Sequence, residues 1–308
     1  MPSNSFNPSK DIPSLAGKVI LITGGNAGLG KESALQLAHH DPSEIWIASR
    51  NLSKAQAAIA EIRTIIPDAR LKALQLDLAS LESVKSAADE FLRQTSRLDI
   101  LFLNAGIMSC PPGLSQEGYE IQFGTNHLGH AALVKLLLPH LEATATATAP
   151  ASDVRVISVS SMAHKYVPSG GIDFASLQTT AEKHPTNDRY GQSKLANILY
   201  ARELAKRHPR VTSVSVHPGI VKTDLHADIA GNFVVRAFSK CVVPLIGLDV
   251  EQGARNQLWA ATAKKGVESG EYYTPVGVKG GDSAFSRDQG LAGRLWEWTQ
   301  TELAKHGI

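Results

Sequence analysis

The sequence predicts an α/β fold built on a mostly parallel, doubly wound sheet with helices on both faces. Three observations carry that expectation. Short β-rich apolar runs alternate with stretches of helical spacing, the first run opens into a glycine cluster, and 308 residues suffice to enclose a substantial core.

Val19–Thr23 (VILIT) is the first expected strand, and after the glycines a helix is expected over 31–39, where Ala34, Leu35 and Leu37 take helix-compatible positions. Strand and helix return at 45–48 and 53–65, at 71–76 and 81–92, and at 98–103 followed by a helix through 128–138. After an alanine- and threonine-rich bridge at 141–149 come a fifth strand at 154–159, a long helix at 189–207 and a sixth strand at 211–216. A segment at 271–274 completes a seven-stranded sheet before a terminal helix around 292–303. Residues 219–250 show little sheet pattern and read as a small helical cover on the substrate side. The bridge is short and the alternation continues past it, so one domain is expected over 17–308, behind an N-terminal extension over 1–16.

Charge and cysteine content narrow the function classes. With 31 basic and 29 acidic side chains, a formal charge of +2 and no concentrated basic patch, nucleic acid is not an expected partner. Cys110 and Cys241 are too few for a disulfide framework or a four-cysteine metal site, which suits a reducing compartment. The opening residues lack the order of a signal peptide, and no run is long and apolar enough to span a bilayer. A cytoplasmic location is the default, and peripheral membrane attachment is compatible with it. The shorter run 241–248 (CVVPLIGL) fits core, a lid or a weak membrane contact.

Residues 23–30 read TGGNAGLG between a strand and a helix, the context in which a glycine motif binds a dinucleotide in a Rossmann-like fold. Gly24 suits the tight turn, Gly28 the approach of a pyrophosphate, and Gly30 close packing of helix on strand; Asn26 and Leu29 lie in the same turn. The second strand ends in Ser49-Arg50-Asn51, with no acid to take both ribose hydroxyls. Arg50, helped by Ser49 or Asn51, suits the 2′-phosphate of NADP(H), the alternative being a solvated surface arginine.

Tyr190 and Lys194 in YGQSK stand four apart on the long helix and share a face. A neighbouring ammonium is expected to lower the tyrosine pKa toward acid/base use. Ser160 and Ser161 follow the fifth strand, at the carboxyl-end crevice where open parallel sheets bind ligands. Local spacings suggest no metal site, His39, His40, His127 and His130 reading as surface or packing residues. The ISVSS segment also lacks the GxSxG elbow of hydrolases.

Taken together, TGxxxGxG at 23–30, Asp77-Leu78, the NAG triplet Asn104-Ala105-Gly106 and YGQSK resemble the short-chain dehydrogenase/reductase family, from about residue 17 to the C-terminus. The resemblance implies that Asp77, with Leu78, meets the adenine, Asp77 alternatively being a loop or helix cap. It implies that the NAG segment supports the cofactor pocket, and that Lys194 holds the nicotinamide ribose beside Tyr190. Ser161, with Ser160 as runner-up, would orient the substrate oxygen. Asn126 in GTNHLGH would fix a relay water through Lys194, its alternative being to satisfy backbone groups. Pro218, Gly219, Val221 and Thr223 match the family's PG segment at the cofactor, although Thr223 also suits a helix cap; His217 reads as structural. The long interval from Ser161 to Tyr190, the DLxS segment at Asp77 and YGQSKLANILY are similar to the retinol-dehydrogenase and WW-domain-oxidoreductase branch.

The implied activity is NADP(H)-dependent carbonyl reduction or alcohol oxidation on a small-molecule carbonyl or alcohol. An apolar substrate suits Phe233, Val234, Val235, Phe238, Val242, Val243, Leu245 and Ile246 in the cover, with Tyr166 and Val167 at the pocket border. The alternatives are a cofactor-binding scaffold or sensor without turnover, and a related epimerase or dehydratase. The resemblance permits a homodimer.

Overall fold

The computed structural model describes residues 5–147, 153–222 and 247–308. The chain enters through a short helix, α1 (Pro8–Asp11), whose first turn is capped by Asn7. It then alternates β1 (Val19–Thr23), α2 (Gly28–Ala38), β2 (Glu44–Ser49), α3 (Leu52–Ile65), β3 (Leu71–Gln75), α4 (Leu81–Gln94) and β4 (Ile100–Leu103). A short turn, α5 (Ile121–Phe123), runs through a π-helical turn at Gly124–Leu128 into α6 (Gly129–Thr146). After β5 (Arg155–Val159) follow a 3₁₀ turn at Met162–Lys165, α7 (Thr186–Arg207), β6 (Thr212–Val216), α8 (Val250–Thr262), β7 (Tyr272–Thr274), β8 (Val278–Lys279), α9 (Ala284–Arg287) and α10 (Gln289–Lys305).

The strands form one sheet in the order β3-β2-β1-β4-β5-β6-β7-β8, parallel from β3 to β7. The order reverses between β1 and β4, which opens the crevice at the carboxyl ends of the strands where this kind of sheet binds ligands. Strand alternation sends Val19 and Leu21 to one face and Ile20 and Ile22 to the other, feeding two separate cores. One packs under α4 and α6, where fully buried Trp46 meets Phe91 edge-on at 5.1 Å. The other lies under α2, α3 and α8.

Two boundaries differ from expectation. An eighth strand, β8, pairs antiparallel with β7 and is only two residues long, too short to leave a periodic signal. The bridge at 141–149 is helical up to Thr146, and threonine hydroxyls there bond back to helix carbonyls: Thr144 Oγ1 donates to His140 O at 2.8 Å. Thr144 Oγ1 also accepts from Leu98 N at 3.0 Å, which ties the helix end to the approach to β4. The N-terminal extension is packed onto the second core through Phe6, Ile12 and Leu15. Within the expected cover, residues 223–246 lie outside the described residues, and with them Thr223 and the apolar side chains from Phe233 to Ile246; α8 begins at Val250.

Candidate active site

The glycine turn joins β1 to α2. Gly24 and Gly28 both hold left-handed backbone, with φ of +66° and +50°. A Cβ on Gly30 would stand 2.4 Å from the carbonyl oxygen of Gly24, so the first turn of α2 rests directly on the strand exit. The N-cap of α2 is Ala27, which has no side chain to bond the first N–H groups. These donors make up the dipole-positive end of the helix, a cradle suited to a pyrophosphate. Asn26 and Leu29 are half-buried, and Leu29 abuts α8 at Gly253.

Behind the turn, Thr23 acts as a hub. Its Oγ1 accepts from Asn104 N and Ala105 N at 2.9 and 3.0 Å, while Asn104 Nδ2 donates to Thr23 O at 2.8 Å. The NAG segment therefore locks β4 to β1, and Gly106 lies where a Cβ would come 3.3 Å from Lys194 Nζ. At the end of β2, Ser49 is buried and Asn51 caps α3 by accepting from Lys54 N at 3.1 Å. Arg50 is exposed. Asp77 Oδ1 accepts from Ala79 N at 3.0 Å, a local turn contact, and Ser80 rather than Asp77 caps α4. The carbonyl of Leu78 seats the first residue of α6, Gly129, whose Cβ would be 2.3 Å away.

Tyr190 and Lys194 are buried on α7, with Lys194 Nζ 5.6 Å from the phenol ring centre. Lys194 Nζ donates to Val159 O at 3.1 Å, at the end of β5. The two serines after that strand separate cleanly. Ser160 is buried and donates to Lys194 O at 2.8 Å, tying strand to helix. Ser161 Oγ accepts from Ala163 N at 3.1 Å and so caps the 3₁₀ turn, and it hydrogen-bonds Tyr190. The expected lowering of the Tyr190 pKa is not found: burial pushes it up to about 12, against the pull of the Ser161 hydrogen bond, and pushes Lys194 down to about 8. Burial dominates both shifts.

Asn126 sits in the π-helical turn. Its Oδ1 accepts from Ile107 N at 2.8 Å, and its Nδ2 donates to Ile107 O and Ser193 Oγ at 3.0 and 2.9 Å. The side-chain amide thus holds the loop after β4 against α7. His130, one turn on, lies with Nδ1 2.9 Å from Asn126 O and Nε2 2.9 Å from Thr23 Oγ1. Burial and the charge of Lys194 push its pKa down to about 4, so the ring is neutral and Nδ1 donates to the carbonyl. Ser193 and His130 are site residues that the motifs did not single out. The i,i+4 spacing of Asn126 and His130 was the available signal.

Beyond β6, Gly219 takes φ +94° and the chain bridges Val221 to Leu248. Pro218 is half-buried, and Asn256 Nδ2 donates to His217 O at 2.7 Å, fixing the strand end. His217 is buried and pushed down to about 4 by desolvation, in keeping with a structural role. Tyr166 is 68% exposed. Its backbone lies on α7 at Gly191, where a Cβ would stand 1.8 Å from Tyr166 O. Among the described residues no His, Cys, Asp or Glu cluster is fit to hold a metal, and no helix is long and apolar enough to cross a membrane.

Comparison with known proteins finds relatives along nearly the whole chain. Residues 18–176 match the family model for short chain dehydrogenases. The chain is 39% identical to the short-chain dehydrogenase/reductase drtF of Aspergillus calidoustus, over 96% of this chain and 97% of that protein. It is 36% identical to human retinol dehydrogenase 13, over 94% of this chain and 85% of that one. A crystal structure of an uncharacterised protein from Mycobacterium paratuberculosis superposes with a TM-score of 0.74 at 30% identity, covering 97% of both chains. The chain therefore belongs to the short-chain dehydrogenase/reductase family, oxidoreductases that bind a nicotinamide cofactor, and resembles its retinol dehydrogenase branch.

Proposed function

We propose that residues 17–308 form a single NADP(H)-dependent carbonyl reductase/alcohol dehydrogenase unit acting on an apolar ketone, aldehyde or secondary alcohol. The observation that carries this reading is the meeting of Ser161, Tyr190 and Lys194 at the carboxyl end of β5. The open N-terminus of α2, the Gly24–Gly30 turn and the residues flanking Asp77, Asn104 and Gly219 would hold the cofactor. When bound, that cofactor supplies or accepts the hydride. Preference for NADP(H) rests on the exposed guanidinium of Arg50 at the end of β2 and on the absence of an acid beside it.

The chain's own residues divide the proton chemistry. Ser161 Oγ is held by Ala163 N–H, and its proton, turned toward Tyr190 in the free site, would turn to a substrate oxygen. Tyr190, held protonated by burial, is in the form required to deliver a proton to the developing alkoxide. Lys194 positions the ribose and, when charged, stabilises the phenolate left behind. Asn126 and Ser193 fix the helix face on which this happens.

The test is oxidation of NADPH and NADH by the purified chain across aliphatic, aromatic and bulky carbonyls, retinal included, with Tyr190→Phe beside it. Turnover with NADPH that falls about 10²- to 10⁴-fold in the variant, with cofactor binding retained, supports the reading. Cofactor binding without turnover on any carbonyl shifts it to a scaffold.

A further inference from the structure

Arg189 immediately precedes Tyr190 in the first turn of α7, an electrostatically poor place for a cation because the dipole-positive end of the helix is there. It is nevertheless buried, as is its partner Glu120; their side chains are 3% and 0% exposed. Arg189 Nη1 donates to Glu120 Oε1 at 3.1 Å and Nη2 donates to Cys110 O at 3.0 Å. The other carboxylate oxygen of Glu120 accepts from Phe123 N at 2.7 Å, so the same group caps the helix that leads into the Asn126 turn.

A second layer runs beside this pair. Thr186 Oγ1 donates to the same Cys110 carbonyl at 3.1 Å. Gln122 Nε2 donates to Thr186 O at 3.3 Å, and Gln122 Oε1 accepts from Ser109 N at 2.9 Å, where Ser109 holds a left-handed φ of +54°. Three separate elements are pinned at one point: the loop after β4, the start of α5 and the start of α7. A buried ion pair is a weak source of net stability, since desolvation offsets most of the attraction, so its worth lies in fixing one geometry.

We infer that Arg189 and Glu120 are positioning residues for the reaction: their buried pair sets the rotation of the first turn of α7, and with it the place of the Tyr190 phenol against Ser161 and the loop 106–110. The inference rests on the proposed role of Tyr190, but its test does not require a known substrate. Neither residue touches the reacting atoms.

The experiment compares the wild type with Glu120→Gln, Arg189→Met and the apolar pair Glu120→Leu with Arg189→Met. Each is followed by Tm and by the ring-carbon NMR signal of Tyr190, assigned through Tyr190→Phe in tyrosine-labelled protein. Arg189→Met alone leaves a buried carboxylate unpaired and lowers Tm, whereas the double change removes that charge and recovers part of the loss, Phe123 N staying uncapped. The inference expects the Tyr190 signal to stay displaced in the double variant despite the recovered Tm, and to move least in Glu120→Gln, which keeps an acceptor for Phe123 N. Where a carbonyl is turned over, kcat stays about 10²-fold down at near-normal KM for NADPH. A Tyr190 signal at its wild-type position in the double variant overturns the inference, as does full recovery of kcat together with Tm. Should the double variant not fold, an unshifted Tyr190 signal in folded Glu120→Gln and Arg189→Met decides against it. If Tyr190→Phe keeps full turnover, the reading of Tyr190 as proton donor fails instead, and the displaced signal still reports the brace.

Discussion

Ser160 and Lys194 are joined by a hydroxyl-to-carbonyl hydrogen bond of 2.8 Å, which binds the exit of β5 to the middle of α7. One serine of the adjacent pair is thereby assigned to architecture, and the other is left facing Tyr190.

The two serines should therefore fail differently when truncated. Ser161→Ala removes a donor to the reacting oxygen and is expected to lower kcat by about 10²-fold, with about 1 kcal/mol of stability lost along with its cap on the 3₁₀ turn. Ser160→Ala is expected to cost about 1 kcal/mol of stability with a far smaller effect on rate. Steady-state kinetics beside thermal melts of the two variants separate these outcomes.

Replacing the Arg50 guanidinium by a carboxylate tests the proposed preference for NADP(H). Arg50→Glu should lose binding to NADPH through repulsion of the 2′-phosphate and gain hydrogen bonds to the ribose hydroxyls of NADH. The ratio of kcat/KM for the two cofactors is expected to shift by more than about tenfold, a change of roughly 1.4 kcal/mol. Because Arg50 is exposed, Tm should not move.

Gly30→Ala tests the glycine cradle. The added methyl meets backbone atoms of Gly24 and the Asn104 amide, none of them the loose end of a side chain. Destabilisation of about 1–3 kcal/mol is expected from overpacking. NADPH titration should show weaker binding even in the fraction that folds.

The buried Tyr190 and Lys194 predict an unusual alkaline stability profile. Lys194 has its pKa pushed from 10.5 down to about 8, so from about pH 8 to 10.5 the unfolded chain binds the extra proton and stability rises with pH. Tyr190 has its pKa pushed from 10.0 up to about 12, so from about pH 10 to 12 the folded chain holds the extra proton and stability falls. Lys194→Met should abolish the rise, increase stability at pH 7 and eliminate turnover. Denaturant melts at half-unit pH steps check the sign of each limb.

The parts of this site that were legible in the sequence are those set by local spacing. The β1–α2 turn shows itself as an apolar run, glycines and a helix, and Tyr190 and Lys194 share a face through one turn of α7. Ser161 could not be told from Ser160 by spacing, because their difference is a hydrogen bond to a residue 34 positions away. Arg189 and Glu120 are 69 apart, and nothing in either neighbourhood announces that they meet. The fall expected in the Tyr190 pKa considered its charged neighbour and omitted burial, which is a property of the whole fold. Likewise β8 is too short to carry a pattern.

The contact of Tyr166 with Gly191 has a consequence for how this architecture diversifies. The segment between Ser161 and α7 is seated against the catalytic helix through a carbonyl oxygen and a residue without a side chain, so the seat at that point does not read loop sequence. Exchanging the loop for that of a relative leaves this joint intact as long as position 191 stays glycine. The joint works as a socket: side chains above it can change without displacing the carbonyl that seats on Gly191, the residue next to Tyr190.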